Sequence, residues 1–540
     1  MLYNVIGYKQ AFDSHQGVNT VKKRSTFAFG AALALTLSSC GGNGTAAEAD
    51  TTAAEVGEHA YIELTKSIGN PVAGFNAEDV LTYGGDPSAM VDGDTLYLYV
   101  GHDTSKNDSY VMPDYLCYTT KDMVNWSYGG VVMKMTDVSW ADKNSAWAGQ
   151  VAKHYDEAAG KDRYYLYFCS WASTDGGKQS IGVAVADSPF GPFEDIGAPL
   201  INGSFTTDET SAWNDIDPTV WIDEDERGEE HRYLMWGNSK LYVCELNEDM
   251  VSVKDYDGDG EITFGSDVRS KTVPDSFTEA PWIYRRQDEN GRYYGDYYLF
   301  YAYSWREHMA YAATGDLMEG KLYFQDIIMK PTATSNTNHM AVVDFLGKTW
   351  FIYHNGSLPG GSGYRRVACA VPLEFYSDGA VAYVDESAAG AFGTVSVITS
   401  LNGDVLEHER FNNSPGDDAY PYKDKKLGSG LDKTVEADGQ WVIKQGKVPG
   451  DLYAVSIESE NKPGLYITVR DGSVVLSQDY DGKMAEAQTF RTIVGLAGNG
   501  VSFEPLDSPG MYLTLSDGTL TLTDGADVQA ASFTVEISDK

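Results

Sequence analysis

Side chains that could take part in acid–base chemistry recur along the chain at intervals of 60 to 67 residues. They are Asp86, Gln150, Asp217, Glu279 and His339. Two carboxyl groups in one site push their pKa values apart, so one can hold a proton while the other is ionised. Hydrolysis of a glycosidic bond needs such a pair, because one group protonates the leaving oxygen while the other activates water or attacks. The repeated positions therefore predict one functional site.

Proline accompanies each of the three carboxylates. Asp86 and Asp217 each precede a proline directly, and Glu279 lies two residues before one. Because a residue before proline is biased toward extended backbone, we expect both aspartates to be aimed from strands. One such aspartate alone would be typical of a surface turn. Three carboxylates at equivalent positions, with a histidine at a fourth, favour a functional site over surface turns.

A strand pattern rich in aromatic residues has a similar period. Its copies are TLYLYVGHD, RYYLYFCSW, RYLMWGN, DYYLFYAYS and TWFIYHNG, which begin at residues 95, 163, 232, 296 and 349. Between them lie further short alternating runs bounded by Gly, Pro and Asp, which predict more strands. Repeats of this length are typical of four-stranded propeller blades. We expect an all-β chain with a five-bladed β-propeller over residues 61–395. The spacing disfavours the alternative, a β-sandwich.

Composition narrows the classes of ligand. The chain has 540 residues, with 40 Lys and Arg against 79 Asp and Glu, and a formal net charge of −39. Phosphate backbones and anionic headgroups both require basic surfaces, so nucleic acid is excluded as a partner and anionic membrane surfaces are disfavoured. A neutral substrate is compatible with this charge.

The last part of the chain has a different organisation. Residues 401–450 are polar and irregular, and PGLYI at residue 463 then recurs as PGMYL at residue 509. Each copy continues into a D-G hairpin and a strand that contains phenylalanine. This predicts a β-trefoil-like domain over residues 396–540. Two of its three lobes are clear, and the first is either degenerate within 415–450 or absent.

The N-terminal 40 residues resemble an export signal. Residues 22–40 read KKRSTFAFGAALALTLSSC, with a basic start, an apolar run and a terminal Cys40. This looks like a bacterial lipoprotein signal, which implies a lipid anchor on Cys40, a flexible tether over 41–60, and an exported protein at the outer membrane. The alternative is an ordinary secretory signal in which Cys40 is incidental. The other four cysteines lie in apolar runs, which favour buried thiols over disulfides, although spacing alone leaves both open.

An ordered set of motifs resembles glycoside hydrolase family 43 over about residues 70–385. The motifs are GGDPSAMVDGDTLYLYVGHD, WAGQV, VADSPFGPF, NDIDPTVWIDED, FTEAPWIYRR, TNHMAVVDF and FIYHNGSLPGGSGYRRV. They are most similar to arabinoxylan arabinofuranohydrolases and related α-L-arabinofuranosidases. The resemblance implies a five-bladed propeller that hydrolyses with inversion. It also implies Asp86 as general base, Glu279 as general acid, and Asp217 as the residue that orients the acid.

The same resemblance implies roles for residues around the carboxylates. His339 looks like the central histidine that lies near an axial metal, often calcium, which is not required for the chemistry. Arg366 looks like the arginine that faces the sugar, although Arg365 is adjacent. Trp147 and Asn338 match positions that shape the sugar pocket. Two departures affect the rim alone: WAGQV has Gly where the related enzymes usually have Ser, and ATGDLMEG replaces a Pro-Gly-Pro turn.

The C-terminal segment of about 450–537 resembles the arabinofuranosidase-type carbohydrate-binding trefoil. It departs from that pattern because Thr468 and Thr514 stand where a histidine often occurs. The domain is therefore either a sugar-binding module or a structural cap. The acidic run DYDGDGE at residue 255 resembles the start of a calcium loop, but position 12 is Ser266 rather than glutamate, and a solvated turn is favoured.

Together these features predict an inverting, monomeric exo-glycosidase. Its expected substrate is a plant cell-wall polysaccharide or oligosaccharide, arabinoxylan or arabinan, from which it would release terminal α-L-arabinofuranosyl groups. A β-xylosidase or an arabinan-cleaving enzyme of the same family is the nearest alternative. A non-catalytic glycan-binding lipoprotein is the alternative from another class. Retention of all three carboxylates argues against it, because binding alone needs neither a proton donor nor a base.

Overall fold

The computed structural model describes residues 60–538 except residues 226, 336 and 412–422. The predicted signal, Cys40 and the tether as far as residue 59 lie outside the described residues. Short 3-10 turns at Met135–Asp137, Ser173–Asp175 and Glu436–Gly439 are the helices among the described residues. None of these is long and apolar enough to cross a membrane. The prediction of an all-β chain is confirmed.

Residues 83–373 form five antiparallel sheets, and each contains strands in their sequence order. The first two are β1 (Tyr83–Asp92), β2 (Thr95–Asp103), β3 (Asp114–Thr120) and β4 (Trp126–Lys134), then β5 (Gly149–Asp156), β6 (Lys161–Ala172), β7 (Lys178–Ala186) and β8 (Glu194–Asp195). The third is β9 (Thr219–Glu224), β10 (Glu230–Trp236), β11 (Leu241–Glu245) and β12 (Val268–Lys271). The last two are β13 (Phe277–Gln287), β14 (Tyr293–Tyr303), β15 (His308–Thr314) and β16 (Tyr323–Met329), then β17 (Met340–Phe345), β18 (Lys348–Asn355) and β19 (Val367–Leu373).

The five sheets close into a ring. Strand β1 contacts β5, β5 contacts β9, β9 contacts β13, β13 contacts β17, and β17 contacts β1. The first strand of every sheet therefore faces the centre, as in a β-propeller. The side chains of these five strands that point toward the axis converge at the centre of the ring. The predicted site residues can meet there.

The repeated aromatic strand is buried on both faces because each sheet lies between two others. In β6, Tyr164, Leu166 and Phe168 pack in the core shared with the first sheet. The alternate residues Tyr165 and Tyr167 pack in the core shared with the third sheet. Because successive side chains point to opposite faces of a strand, one strand contributes to two apolar cores. Burial of each large side chain stabilises the fold by about 1.5–3 kcal/mol.

The four described cysteines lie in these cores. Cys117, Cys169, Cys244 and Cys369 are all buried and free. The prediction of buried thiols rather than disulfides is therefore confirmed for these four cysteines. Their thiols serve as small apolar side chains.

Six strands of the C-terminal part form a closed barrel. They are β20 (Ser396–Ser400), β23 (Gln440–Gln445), β24 (Ala454–Ser459), β27 (Phe490–Val494), β28 (Val501–Pro505) and β31 (Phe533–Ile537). Three hairpins lie between them in the chain: β21 (Glu407–His408) with β22 (Leu427–Gly428), β25 (Leu465–Arg470) with β26 (Ser473–Gln478), and β29 (Tyr512–Ser516) with β30 (Thr519–Thr523). The described residues of the polar region 401–450 thus form one hairpin and one barrel strand.

Polar contacts join the barrel to the segments that flank the ring in the chain. The buried Lys444 ammonium on β23 lies 2.6 Å from the Glu458 carboxylate on β24 and also donates to the carbonyl of Asn70. Glu460 accepts from the backbone N–H of Ala389 at 2.8 Å. At the start of the described chain, the N–H of Ile62 donates to the carbonyl of Thr492 on the barrel. The first described residues therefore pack against the last domain in the sequence.

Candidate active site

Local backbone irregularities turn the three predicted carboxylates toward the centre of the ring. The pairing of β1 shifts register between Gly85 and Ser88, and the pairing of β13 shifts at Glu279. The residues before the three prolines have positive φ angles: 53° at Asp86, 58° at Asp217 and 56° at Ala280. The expectation of extended backbone at the two aspartates is therefore wrong.

The physical reason is that a bulge adds a residue to one strand and re-aims a side chain. Left-handed backbone costs a non-glycine residue about 1–3 kcal/mol and persists where the surrounding structure enforces it, often at functional sites. Aspartate tolerates this conformation better than most residues. The surrounding structure outweighs the bias of a residue before proline toward extended backbone, and it holds these residues in the left-handed conformation.

Asp86 lies beside a buried cation. The Nη1 of Arg366 donates to Asp86 Oδ1 at 2.5 Å, and the backbone N–H of Asp86 donates to Nδ1 of His354 at 3.1 Å. Burial would raise the pKa of Asp86, but the positive charge of Arg366 and the hydrogen bond that it donates outweigh burial and lower that pKa below its usual value. Asp86 is therefore a carboxylate at neutral pH.

A second carboxylate fixes the arginine from behind. Arg366 Nε donates to Asp103 Oδ2 at 2.9 Å, and Nη2 donates to Asp103 Oδ1 at 3.0 Å. This two-pronged geometry holds a guanidinium in one orientation. Gly85 permits the approach, because a Cβ there would lie 2.1 Å from Arg366 Cζ. The neighbouring Arg365 instead donates to the carbonyl of Gly360, so the structure brings Arg366 into the site and leaves Arg365 outside it.

Glu279 has a different environment. Its Oε2 accepts from Nδ2 of Asn238 at 2.7 Å. Burial raises the pKa of Glu279, and the negative charge of Asp86 raises it further, which outweighs the opposing hydrogen bond from Asn238. Glu279 can therefore keep a proton at a pH where Asp86 has lost its own.

Asp217 is close to Glu279 and holds the neighbouring backbone. Its Oδ2 accepts from the N–H of Ala280 at 2.9 Å, so it fixes the bulge that carries Glu279. Burial raises the pKa of Asp217 well above its usual value, and the charges of Glu279 and Asp86 raise it further. The structure thus brings all three predicted carboxyl groups together.

A fourth carboxyl group was missed by the sequence analysis. Glu307 is 3% exposed, and its side chain is hydrogen-bonded to that of Glu279. Its Oε2 accepts from the backbone N–H of Asn338 at 2.8 Å. Glu307 lies between β14 and β15 in a segment, WREH, with no repeated counterpart in the other sheets. Nothing in the sequence pattern distinguished it.

Solvent exposure separates the members of this carboxyl cluster. Asp86 and Glu279 are partly exposed, whereas Asp103, Asp217 and Glu307 are buried. A substrate can therefore touch the first two and is kept from the other three. The two reachable groups are also the two with opposed pKa shifts.

The two predicted pocket residues have different surroundings. Trp147 is partly exposed, and its ring packs edge-on against Tyr110, 6.0 Å between centroids. Tyr110 in turn lies 5.1 Å from the guanidinium of Arg366. Trp147 therefore borders the site through Tyr110. Asn338 is 1% exposed, and its Nδ2 donates to the carbonyl of Glu307 at 3.2 Å, so it braces the segment behind Glu279.

The donor set around His339 does not suit calcium. Calcium prefers six to eight oxygen ligands, whereas His339 offers a nitrogen, 3.9 Å from an Asp86 oxygen that already binds Arg366. Burial lowers the pKa of His339 to about 4, so the ring is neutral and faces a fixed cation. His339 as a metal ligand stays a prediction. At the acidic run near residue 255, Asp255, Asp257 and Asp267 do converge, but their oxygens accept from nearby backbone N–H groups.

Several site residues that the sequence analysis missed lie at or next to the end of the second strand of a sheet. Asp103 ends TLYLYVGHD, Asn238 follows RYLMW, and His354 lies in TWFIYHNG. The repeated motif that predicted the sheets therefore carried the signal for these residues.

Comparison with known proteins assigns both parts of the chain to described families. The model for glycosyl hydrolases family 43 matches residues 80–381, and the model for the alpha-L-arabinofuranosidase B (ABFB) domain matches residues 410–538. A xylosidase/arabinosidase from Bacteroides ovatus is 28% identical over 346 residues, which cover 56% of this chain and 95% of that protein. An arabinoxylan arabinofuranohydrolase from Bacillus subtilis (strain 168) is 27% identical over 384 residues, 64% of this chain and 70% of that protein.

Solved structures are also similar. A family 43 arabinoxylan arabinofuranohydrolase from Bacillus subtilis, crystallised with cellotetraose, aligns with a TM-score of 0.47 and 19% identity. The alignment covers 88% of this chain and 98% of that chain.

We expect Gly85→Ala to destabilise the protein by displacing Arg366. The new Cβ would lie 2.1 Å from Arg366 Cζ, and overpacking of a buried site costs about 1–3 kcal/mol. Denaturant unfolding measures the loss, and a crystal structure should show a longer contact between Arg366 and Asp86. Gly315→Ala is the control, because its nearest neighbour, Asp296, lies at 3.7 Å. Equal stability of the two variants would contradict the account of this packing.

Proposed function

We infer the reaction from the premise that this chain belongs to glycosyl hydrolase family 43 and is a glycoside hydrolase. The observation that carries the assignment of roles is the exposure of two carboxyl groups, Asp86 and Glu279, in a cluster whose other members are buried. Their pKa values are shifted in opposite directions. One base and one acid that both reach the substrate are what hydrolysis of a glycoside requires.

In the proposed reaction, Asp86 takes a proton from a water molecule as that water attacks the anomeric carbon. The bond from this carbon to the leaving oxygen breaks, and Glu279 gives its proton to that oxygen. Asp217 acts as a positioning residue, because it holds the backbone beside Glu279. One water is consumed, and attack from the face opposite the leaving group inverts the configuration. No cofactor takes part in this scheme.

We propose that the substrate is a plant cell-wall polysaccharide or oligosaccharide with terminal α-L-arabinofuranosyl groups, such as arabinoxylan. Two observations support this: a curated relative is named arabinoxylan arabinofuranohydrolase, and the C-terminal part matches the ABFB domain. Another relative is named xylosidase/arabinosidase, which favours a β-xylosidase as the second candidate. Trp147, near the rim, would contact the sugar chain, and Arg366 would lie at the bottom of the pocket.

We further propose that residues 61–395 are a propeller with five blades and that 396–540 are a trefoil. The closed ring of five sheets supports the first proposal. For the second, the support is a six-stranded barrel in which one hairpin follows each of the strands β20, β24 and β28. On this interpretation the degenerate first lobe is β20–β23.

Release of the sugar from natural polymers tests the substrate and the stereochemistry together. We expect NMR of the protein with arabinoxylan and, separately, with arabinan to show free arabinose, first as the β anomer. Xylose as the product would favour the β-xylosidase, and arabinose from arabinan alone would favour an arabinan-cleaving enzyme. Binding without any product would support the non-catalytic glycan-binding protein and contradict the proposal.

The two exposed carboxyl groups should respond differently to the leaving group. We expect Glu279→Gln to lower kcat/KM on a natural oligosaccharide by about 10²–10⁴-fold, because general acid catalysis is lost. The same variant should retain far more activity on a 4-nitrophenyl glycoside, whose leaving group needs no proton. Asp86→Asn should lose both activities, because the base is needed for either substrate. Glu289→Gln, at an exposed position, is the control. Full activity of Glu279→Gln on the oligosaccharide would refute the assignment.

We propose that the protein is exported, anchored at the outer membrane through a lipid on Cys40, and monomeric. The sequence of residues 22–40 supports the anchor. Growth with radiolabelled palmitate should label the protein, and Cys40→Ser should abolish the label and release the protein from the membrane fraction. Absence of label from the unaltered protein would favour an ordinary secretory signal.

A further inference from the structure

Glu307 has no role in the reaction described so far, yet it lies against the proposed acid. It is 3% exposed, on the segment that joins β14 to β15, and its carboxyl group is hydrogen-bonded to Glu279. Substrate cannot reach it. A buried carboxyl group in this position is costly unless its charge is neutralised or it keeps its proton, so its state bears directly on Glu279.

The charge balance of the site requires some of these carboxyl groups to be protonated. Five of them surround a single guanidinium: Asp86, Asp103, Asp217, Glu279 and Glu307. The two neighbouring imidazoles do not supply positive charge, because burial lowers the pKa of His339 to about 4 and that of His354 to about 3. Arg366 binds Asp86 and Asp103 directly. The other three groups have no contact of this kind with it among the described residues.

The hydrogen bonds around Glu307 indicate which of its oxygens holds the proton. Its Oε2 accepts from the N–H of Asn338 at 2.8 Å. Its Oε1 lies 3.4 Å from the hydroxyl of Thr278, but that hydroxyl has a closer acceptor, the carbonyl of Ala302 at 2.8 Å. Since a hydroxyl has one hydrogen to give, Oε1 is the oxygen left to carry a proton. Burial, and then the charge of Glu279, raise the pKa of Glu307 well above its usual value.

We propose that Glu307 is a positioning residue: a neutral carboxylic acid that donates a hydrogen bond to Glu279 and stabilises the carboxylate that Glu279 becomes. This inference rests on the proposed role of Glu279 as general acid. When Glu279 gives its proton to the leaving oxygen, Glu307 keeps its own proton and only its hydrogen bond strengthens. A hydrogen bond to an ionised acceptor is about twice as strong as one between neutral groups, so the interaction favours the transition state over the resting state.

The acidity of Glu279 depends on a defined set of neighbours. The groups that face the Glu279–Glu307 pair are Asp86, Asp217, Arg366, Asn238, Tyr110 and Cys169. None of these is altered in the variants below. A change in the alkaline limb of the pH profile of kcat/KM, which reports the ionisation of Glu279 in the free enzyme, can then be attributed to position 307.

Two nearly isosteric variants test the proposal in the full-length protein. Glu307→Leu removes the donor, which disfavours the carboxylate form of Glu279 and raises its pKa. The alkaline limb of the pH profile of kcat/KM should therefore move to higher pH by about one unit. The variant should also lose about tenfold or more in kcat/KM on a natural oligosaccharide, since a tenfold loss corresponds to about 1.4 kcal/mol, and much less on a 4-nitrophenyl glycoside. Glu307→Gln keeps a neutral donor, so it should recover most of the lost rate and keep the limb at its wild-type position.

Specific results would overturn this inference. A shift of the alkaline limb to lower pH in Glu307→Gln would mean that Glu307 is an anion that repels the Glu279 carboxylate. An unmoved limb in Glu307→Leu would mean that the two groups are not coupled. If Glu279→Gln retains full activity, the proposed function fails. If that variant is inactive on the oligosaccharide and position 307 has no effect on the limb, only this inference fails.

An infrared difference spectrum provides a measurement that does not depend on activity or on folding of the leucine variant. We expect the spectrum of the unaltered protein minus that of Glu307→Gln, at neutral pH, to contain the C=O band of a protonated carboxyl group. A carboxylate band in its place would contradict the proposal.

Discussion

One buried guanidinium organises the charges at the centre of the ring. Arg366 contacts Asp86 and Asp103, and its charge keeps the pKa of Asp86 low although the group is buried. Burial dominates at Asp217 and Glu279 and raises their pKa values, and it also raises the pKa of Asp103 although Arg366 contacts that group. The fixed positive charge thus lowers the pKa of Asp86, whereas burial raises the pKa values of the other carboxyl groups in the cluster. The division needs no metal, because opposite charge and desolvation act on different members of the cluster.

Residues from several parts of the fold hold that guanidinium in place. Gly85 provides the space for it, and Asp103 at the end of β2 fixes its orientation. The loop before it is supported from the C-terminal barrel, where the carbonyl of Asp479 accepts from the N–H of Gly360 at 2.7 Å. Arg365 also lies over the ring of Tyr480 on the barrel side. The barrel is therefore part of the support of the site as well as the candidate sugar-binding module.

The sequence predicted the parts of the structure that repeat. A period in the aromatic strands, together with turn residues, was sufficient for the all-β class, because alternation on a strand buried on both faces has a recognisable pattern. The same period indicated Asp86, Asp217 and Glu279, which the structure brings together. The interpretation of the preceding-proline pattern was wrong in detail, since Asp86 and Asp217 have left-handed backbone. The bias of a residue before proline describes an unstrained chain, whereas the surrounding structure holds Asp86 and Asp217 in the left-handed conformation.

The parts that do not repeat could not be predicted in this way. Asp103 ends a second strand of the repeat and Asn238 follows another, so the second strands reach the site as well as the first. Glu307 belongs to no repeated motif, and its importance depends on a contact with Glu279 made through the fold alone. Whether a carboxyl group is an acid, a base or a support depends on its exposure and on the balance between burial and nearby charges. Those quantities exist only in three dimensions, so the sequence can indicate which groups meet but cannot indicate how the protons are distributed among them.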